Sequence, residues 1–164
     1  MSQERHTLSN CSKNSPGEGA GRAGRFLSEG WASVWQVELQ RIHHVAIIAS
    51  DYEKSKAFYV EVLGLKVLAE HLRVERCSYK LDLALPDGGQ LELFSFPEPP
   101  PRPSRPEAAG LRHLAFVVPD VGEALAELAG RGARVEELRV DEFTGKRFGF
   151  FFDPDGLPLE LYEA

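Results

Sequence analysis

The sequence predicts an α+β domain in which two βαβββ modules, related by a pseudo-twofold repeat, form curved mixed sheets around a cleft. The first observation is a near duplication, because LPDGGQLELF begins at residue 85 and DPDGLPLELY begins 68 positions later, at residue 153. The second is that His113 follows His44, and Asp120 follows Asp51, at a spacing of 69 residues. Landmarks that keep their spacing over such a separation indicate one module made twice.

Module one is predicted to span residues 40–96. The run IHHVAIIAS has the length and β-branched content of a buried strand, and SDYEKSKAFYVEVLG has apolar residues at helical intervals. Ser50 or Asp51 can cap this helix, and Gly64 can end it. Strand-like segments LKVLAEH, YKLDLAL and QLELFSF follow, the last two joined by a turn at Asp87-Gly88. The predicted order is therefore β, α, β, β, β.

A Pro-rich linker is predicted over residues 97–110, because six prolines are incompatible with a helix interior or a central strand. Module two follows over residues 111–164. RHLAFVVPD repeats the first strand, DVGEALAELAGRG predicts a helix capped by Asp120, and ARVEELRV, KRFGFFFDPDG and LPLELY predict three strands. We expect the phenylalanines within residues 148–152 to pack mainly in the core, with alternation turning one or two rings toward the cleft.

The domain is predicted over residues 37–164, because residues 1–36 are rich in Gly, Ser, Asn and charge and predict a flexible extension. The net charge of −6 argues against a nucleic-acid partner. No segment approaches the roughly 20 apolar residues of a membrane span. Only two cysteines are present, which does not suggest a disulfide framework. We therefore expect a cytoplasmic protein whose partner is a small-molecule substrate.

Two polar residue types recur in both modules at positions where a strand is expected to be apolar. His44 and His113 lie in the first strand segments, and Glu92 and Glu160 lie in the last. A lone histidine is more often a hydrogen-bonded structural residue, and a lone strand glutamate is more often solvated. A carboxylate inside a sheet is unfavourable unless it is paired, protonated or metal-bound. Two histidines and two glutamates that recur in register therefore favour a shared metal site. Imidazole and carboxylate donors suit Ni, Co, Mn, Fe(II) or Zn.

At these residues the sequence resembles the glyoxalase I-like branch of the vicinal oxygen chelate (VOC) superfamily, in particular a YaeR-like group of small bacterial proteins. The similar segments are HHVAIIASDYEKSKAFY, LELFSFP, RPSRPEAAGLRHLAF and KRFGFFFDPDGLPLELYE. The resemblance implies one divalent metal ion per site in the cleft, bound by His44 rather than His43, and by Glu92, His113 and Glu160. It also implies a lyase or isomerase that works through a metal-stabilised enediolate. Glu160 is the first candidate for the base that moves the proton, and Glu92 is the second.

Two positions depart from glyoxalase I proper, which uses an Arg and an Asn to hold glutathione. Ile48 and Phe96 stand at these positions, so a glutathione conjugate is not the expected substrate. A cation that orients an anionic carbonyl compound would replace them, although most such side chains are solvated surface charges. The candidate cations are Lys80, Arg102, Arg105, Lys146 and Arg147.

Two other functions stay open, namely a metal-independent VOC protein that binds a small molecule such as an antibiotic, and an Fe(II) dioxygenase. The second glutamate counts against the dioxygenase, which uses two histidines and one carboxylate. The resemblance further implies a homodimer. The linker permits the two modules to close on each other within one chain. It equally permits an exchange, in which His44 and Glu92 of one chain meet His113 and Glu160 of another.

Overall fold

The computed structural model describes residues 37–164, and the predicted flexible extension, residues 1–36, lies outside them. Gln40–Ala164 forms one compact unit. Its first half contains a four-stranded sheet with the strand order β1-β4-β3-β2, in which β1 and β4 are parallel and the other neighbours are antiparallel. The strands are β1 (His44–Ala49), β2 (Lys66–Arg73), β3 (Ser78–Ala84) and β4 (Gln90–Ser95).

The second half contains a sheet with the strand order β5-β9-β8-β6, to which the short strand β7 adds by pairing with β8. β5 and β9 are parallel, like β1 and β4, and the remaining pairs are antiparallel. The repeated arrangement confirms the predicted α+β fold with two like modules. The strands are β5 (Leu114–Val118), β6 (Arg134–Val135), β7 (Arg139–Val140), β8 (Arg147–Phe152) and β9 (Pro158–Glu163).

The apolar pattern of ARVEELRV predicts one continuous strand, but the structure forms two short strands there, β6 and β7. Val135 pairs with Phe151, and Arg139 pairs with Phe148. Between these two pairs, the three residues 136–138 face only two residues of β8, 149 and 150, which is the one-residue excess of a β-bulge. Glu136 stays hydrogen-bonded to β8, because its backbone N–H donates to the carbonyl of Phe150 at 2.7 Å.

Each module contributes one helix, and each helix is capped by an aspartate. Asp51 accepts from the backbone N–H of Lys54 at 3.2 Å and begins α1 (Tyr52–Ala57), which continues as a π-helical segment, Phe58–Val62. Asp120 accepts from Glu123 at 2.9 Å and begins α2 (Val121–Gly130). The alternative cap, Ser50, instead donates its backbone N–H to Asp155 in the other module, at 3.0 Å.

The helix-facing sides of both sheets share one apolar core. Leu81, Leu83, Leu91 and Leu93 of the first sheet and Phe151 and Leu159 of the second are fully buried. Two contacts join the modules inside this core. The hydroxyl of Tyr59 donates to Asp153 at 3.0 Å, and the rings of Phe58 and Phe151 lie 6.4 Å apart.

The segment between the modules, residues 97–110, contains turns but neither helix nor strand. Its first half approaches the start of module two, because Nη2 of Arg102 donates to the carbonyls of Leu111 and Arg112, at 2.6 and 3.0 Å. The linker is therefore held against the second sheet. No helix within residues 37–164 has the length and apolarity required to cross a bilayer.

The buried Asp153 predicts a pH-dependent contribution to stability. Burial raises the pKa of this carboxyl above its ordinary 3.8, against the opposing effect of hydrogen bonds from Leu157 and Tyr59. The folded protein then binds the proton more tightly than the unfolded chain, so this group's stabilising contribution falls as pH rises from near 4 through the folded pKa. Asp153→Asn should reduce this loss, because the amide stays neutral. The measurement is the free energy of unfolding of both proteins across pH 4 to 7. A constant difference between them would contradict the prediction.

Candidate metal centre

In module one, His44 and Glu92 lie on the face of the first sheet that points away from the core. The parallel register pairs Ala46 with Glu92, so His44 projects from the same face two residues earlier. Nε2 of His44 lies 3.8 Å from Oε2 of Glu92. Leu91 and Leu93, which flank the glutamate, are fully buried on the opposite face. The alternation of β4 therefore explains a glutamate between leucines, because the carboxylate and the apolar side chains point to opposite faces.

Module two repeats this arrangement in the same register. Ala115 pairs with Glu160, and His113 lies two residues before Ala115, immediately before β5. Nε2 of His113 lies 3.0 Å from Oε2 of Glu160. Both carboxylates are largely shielded, because the glutamate side chains are only 13% and 12% exposed. Each module therefore presents one imidazole and one carboxylate at equivalent places.

The surroundings of the two glutamates differ. In the first sheet Asp82 lies opposite Glu92, and Nζ of Lys80 bridges the two carboxylates, 2.5 Å from Asp82 and 3.0 Å from Glu92. The hydrogen bond to Asp82 raises the pKa of Lys80, so the ammonium stays charged. In the second sheet Phe150 takes the place opposite Glu160. Glu92 is thus held by a cation, whereas Glu160 has an apolar neighbour.

The aromatic run of β8 divides between the two faces of its sheet. Phe151 is fully buried in the core, while Phe148, Phe150 and Phe152 are half-buried on the face that bears Glu160. The Phe150 ring meets the ring of His113 edge to face, with centroids 5.4 Å apart. The alternation therefore places three rings, rather than one or two, on the side of the candidate site.

The five cations proposed from the sequence occupy different environments. Arg147 forms ion pairs with Glu163 and Asp120, and Lys146 reaches the carbonyl of Glu163. Lys80 lies beside Glu92, and Arg102 and Arg105 lie in a pocket that also includes His113. Sequence reasoning overlooked Asp82, although the alternation in YKLDLAL places it on the same face as Lys80. It also overlooked Arg112 and Arg139 in that pocket.

The two His–Glu pairs stay apart within one chain. Among residues 37–164, no three His, Cys, Asp or Glu side chains lie close enough together to hold one metal ion. The donor types nevertheless fit a divalent cation, since imidazole and carboxylate are the usual protein ligands at sites that contain no cysteine thiolate. In the described part of the chain, Nδ1 of His113 is buried without a hydrogen-bond partner, and Nδ1 of His44 lies 3.0 Å from Nδ1 of His43. Each module therefore presents one imidazole and one carboxylate, donor types that suit a divalent cation.

Three comparisons place this geometry among known proteins. The family model described as Glyoxalase/Bleomycin resistance protein/Dioxygenase superfamily matches residues 41–161. The uncharacterized protein YaeR of Escherichia coli (strain K12) is 58% identical, over 76% of this chain and 97% of its own length. The mitochondrial methylmalonyl-CoA epimerase of Bos taurus is 30% identical over 82% of this chain and 79% of its own. The crystal structure of the glyoxalase family protein from Enterococcus faecalis is 56% identical, with a TM-score of 0.72, over 76% of this chain and 98% of that one.

Proposed function

The chain belongs to the Glyoxalase/Bleomycin resistance protein/Dioxygenase superfamily, also called the VOC superfamily, and we propose that it is a divalent-metal-dependent lyase or isomerase of the glyoxalase type. The reaction would move a proton on carbon next to a carbonyl in a small metabolite. The observation that carries this proposal is the His–Glu pair that recurs in the same register in both sheets. The relative named an epimerase supports it, because inverting a carbon next to a carbonyl requires a proton to be removed and returned.

The residues proposed to hold the ion are His44, Glu92, His113 and Glu160, one pair from each module. A bound Ni, Co, Zn, Mn or Fe ion would act as a Lewis acid toward the carbonyl oxygen of the substrate. Glutathione is not part of the proposal, because the positions that would hold it are the apolar Ile48 and Phe96.

The two glutamates would have different roles because their neighbours differ. Oε1 of Glu92 already contacts the ammonium of Lys80 at 3.0 Å, an ion pair that would hold this carboxylate in place as a ligand. Glu160 faces Phe150, and we infer that it is the base that takes the proton from carbon and returns it to that carbon or its neighbour. The half-buried phenylalanines beside it would limit the access of water to the proton being moved.

A second copy of the chain would complete the four-ligand set. β1 and β5 lie at the edges of their sheets, and each carries the ligand face of its module outward. Ile48 and Val117, which follow the two histidines on that face, are 55% and 72% exposed. In a twofold dimer, His44 and Glu92 of each chain would meet His113 and Glu160 of the other, which gives two equal sites.

Metal binding by the full-length protein tests the proposal. Titration with Zn, Ni, Co and Mn should give one tightly bound ion per chain, and His44→Ala or His113→Ala should weaken binding by more than about 100-fold, since removing even an outer partner of a ligand costs about 10–100-fold. His71→Ala is the matched control, because His71 is an exposed histidine of the far edge strand β2. A protein that binds none of these ions would point to a metal-independent binding protein instead.

Mixing the two ligand variants tests the exchange between chains. A mixed dimer of His44→Ala and His113→Ala chains would hold one intact four-ligand site and one site without histidine. We therefore expect unfolding and refolding the two inactive variants together to restore metal binding, measured as bound ion per chain. Binding that stays absent, in variants shown to form mixed dimers, would indicate that each chain builds its own site.

A further inference from the structure

A pocket of about 170 Å³ lies between the linker and the second sheet, and His113 is part of its wall. We call it the linker pocket and define it by Arg102 and Arg105 of the linker, Arg112, Arg139, and the rings of Phe150 and Phe152. Its volume corresponds to roughly six water molecules at their share of the liquid, enough for a carboxylate or phosphate group.

The charge of the linker pocket is opposite to that of the whole chain. Four arginines line it against two acidic residues, Glu107 and Glu136, whereas the chain carries a formal net charge of −6. Glu136 is already paired with Arg139 at 2.5 Å. Within residues 37–164 the guanidinium groups of Arg105 and Arg112 take part in no hydrogen bond or ion pair that satisfies ordinary distance limits. Among the residues that the structure describes, the pocket therefore carries more positive than negative charge.

Arg102 supplies the most specific sign of a missing acceptor. Its Nη2 donates to two backbone carbonyls, of Leu111 and Arg112, which fixes the guanidinium against the start of module two. Its Nε is buried and has no hydrogen-bond partner among residues 37–164. A buried donor of a charged group without an acceptor is unfavourable, so an anion accepted there would remove a penalty as well as form a bond.

The position of the linker pocket connects it with the proposed metal centre. Phe150 lines the pocket, lies opposite Glu160 in the sheet and touches the ring of His113. Arg139 lies over the ring of Phe150, with its guanidinium carbon 5.2 Å from the ring centroid. A small molecule could therefore place one end at the His113–Glu160 pair and another end among the arginines, with Phe150 between them.

We infer that the linker pocket binds the carboxylate or phosphate group of the substrate. This inference rests on the proposed function and narrows its substrate class to small carbonyl compounds that carry a second, anionic group. Arginine is suited to this task because its fork of N–H donors matches the oxygens of both groups. The Pro-rich linker would then serve a purpose beyond joining the modules, because it supplies two of the arginines.

Anion titrations of metal-free, full-length protein test the inference at low salt. Inorganic phosphate and acetate are the two probes, and sodium chloride at equal ionic strength is the control for screening. We expect at least one probe to shift the Nε–Hε NMR resonance of Arg102. The double variant Arg105→Gln/Arg112→Gln should weaken that binding by about tenfold or more, as loss of charge-assisted hydrogen bonds predicts. Arg76→Gln, which removes an exposed arginine of the β2–β3 connection, should leave binding unchanged.

The outcomes separate this inference from the proposed function. If neither anion moves the Arg102 resonance, or if the double variant binds as the unmodified protein does, the linker pocket is not an anion site. The unmodified protein is titrated separately with divalent metal, which tests the proposed function independently of the arginine substitutions. If the protein binds the anions but no divalent metal, the proposed function is wrong, whereas the linker pocket is still an anion site.

Discussion

Glu160→Gln is expected to slow proton exchange at the substrate carbon by two to four orders of magnitude, the usual contribution of a positioned general base. The amide keeps the size of the side chain and an oxygen that can face His113, but it cannot accept the proton. Compounds that exchange would first be found by incubating small 2-oxo and 2-hydroxy carbonyl compounds with the metal-loaded protein in D2O. The rate of deuterium incorporation, followed by NMR, is then the measurement.

Two further glutamine variants make this result specific. Glu92→Gln should act mainly on metal affinity, because the ion pair with Lys80 already holds that carboxylate in place as a ligand. Glu137→Gln changes an exposed glutamate of the bulge between β6 and β7 and should leave both the rate of proton exchange and the metal affinity unchanged. If Glu160→Gln exchanges protons as fast as the unmodified protein with metal bound, the base is another residue. A larger loss of exchange in Glu92→Gln would reverse the roles of the two glutamates.

The repeat made most of the fold predictable, because a helix cap, turn or strand pattern found in one module recurs at the equivalent position in the other. Asp51 and Asp120 cap their helices at equivalent positions, and Gly88 and Gly156 both adopt positive φ, +83° and +79°, in the turns before the last strands. Such turns favour glycine since an added Cβ is strained at positive φ. The same alternation that defines a strand also placed both glutamates on the face opposite the leucines.

Features that depend on contacts between distant segments were not predictable from these patterns. The bulge between β6 and β7 follows from pairing with β8, and nothing within ARVEELRV marks the extra residue. Ser50 has the sequence context of a helix cap, yet it bonds to Asp155, which lies 105 residues later. Arg102 and Arg105 were recognisable as cations, but their meeting with Arg112, Arg139 and two aromatic rings required the path of the linker. Sequence periodicity describes each strand and helix, whereas this pocket is built between them.

The separation of the two His–Glu pairs within one chain was likewise not predictable, because it depends on how distant segments pack together. The spacing of 69 residues predicts that His44 and His113 are equivalent, and the shared register of Ala46 with Glu92 and Ala115 with Glu160 agrees with it. Equivalence under a pseudo-twofold repeat does not determine which two modules face each other. Closure within a chain and exchange between chains use the same residues and differ only in how the linker connects them.

Phe151→Ala is expected to lower the free energy of unfolding by about 3–5 kcal/mol, the usual effect of truncating a buried phenylalanine. Phe151 is fully buried in the core that both modules share, and its ring lies near that of Phe58 from module one. The substitution would therefore remove apolar burial and leave a cavity where the modules meet.

Phe143→Ala provides the matched control, because the same atoms are removed from a ring that is 90% exposed. The backbone N–H of residue 143 can still donate to Asp141, so this variant should stay within about 0.5 kcal/mol of the unmodified protein. Chemical denaturation followed by circular dichroism compares the three proteins. A single transition in each would support one cooperative core, since a cavity in a core that joins two modules weakens both together. Equal stability of the two variants would contradict the expected loss of core packing, and a second transition in Phe151→Ala would indicate modules that fold independently.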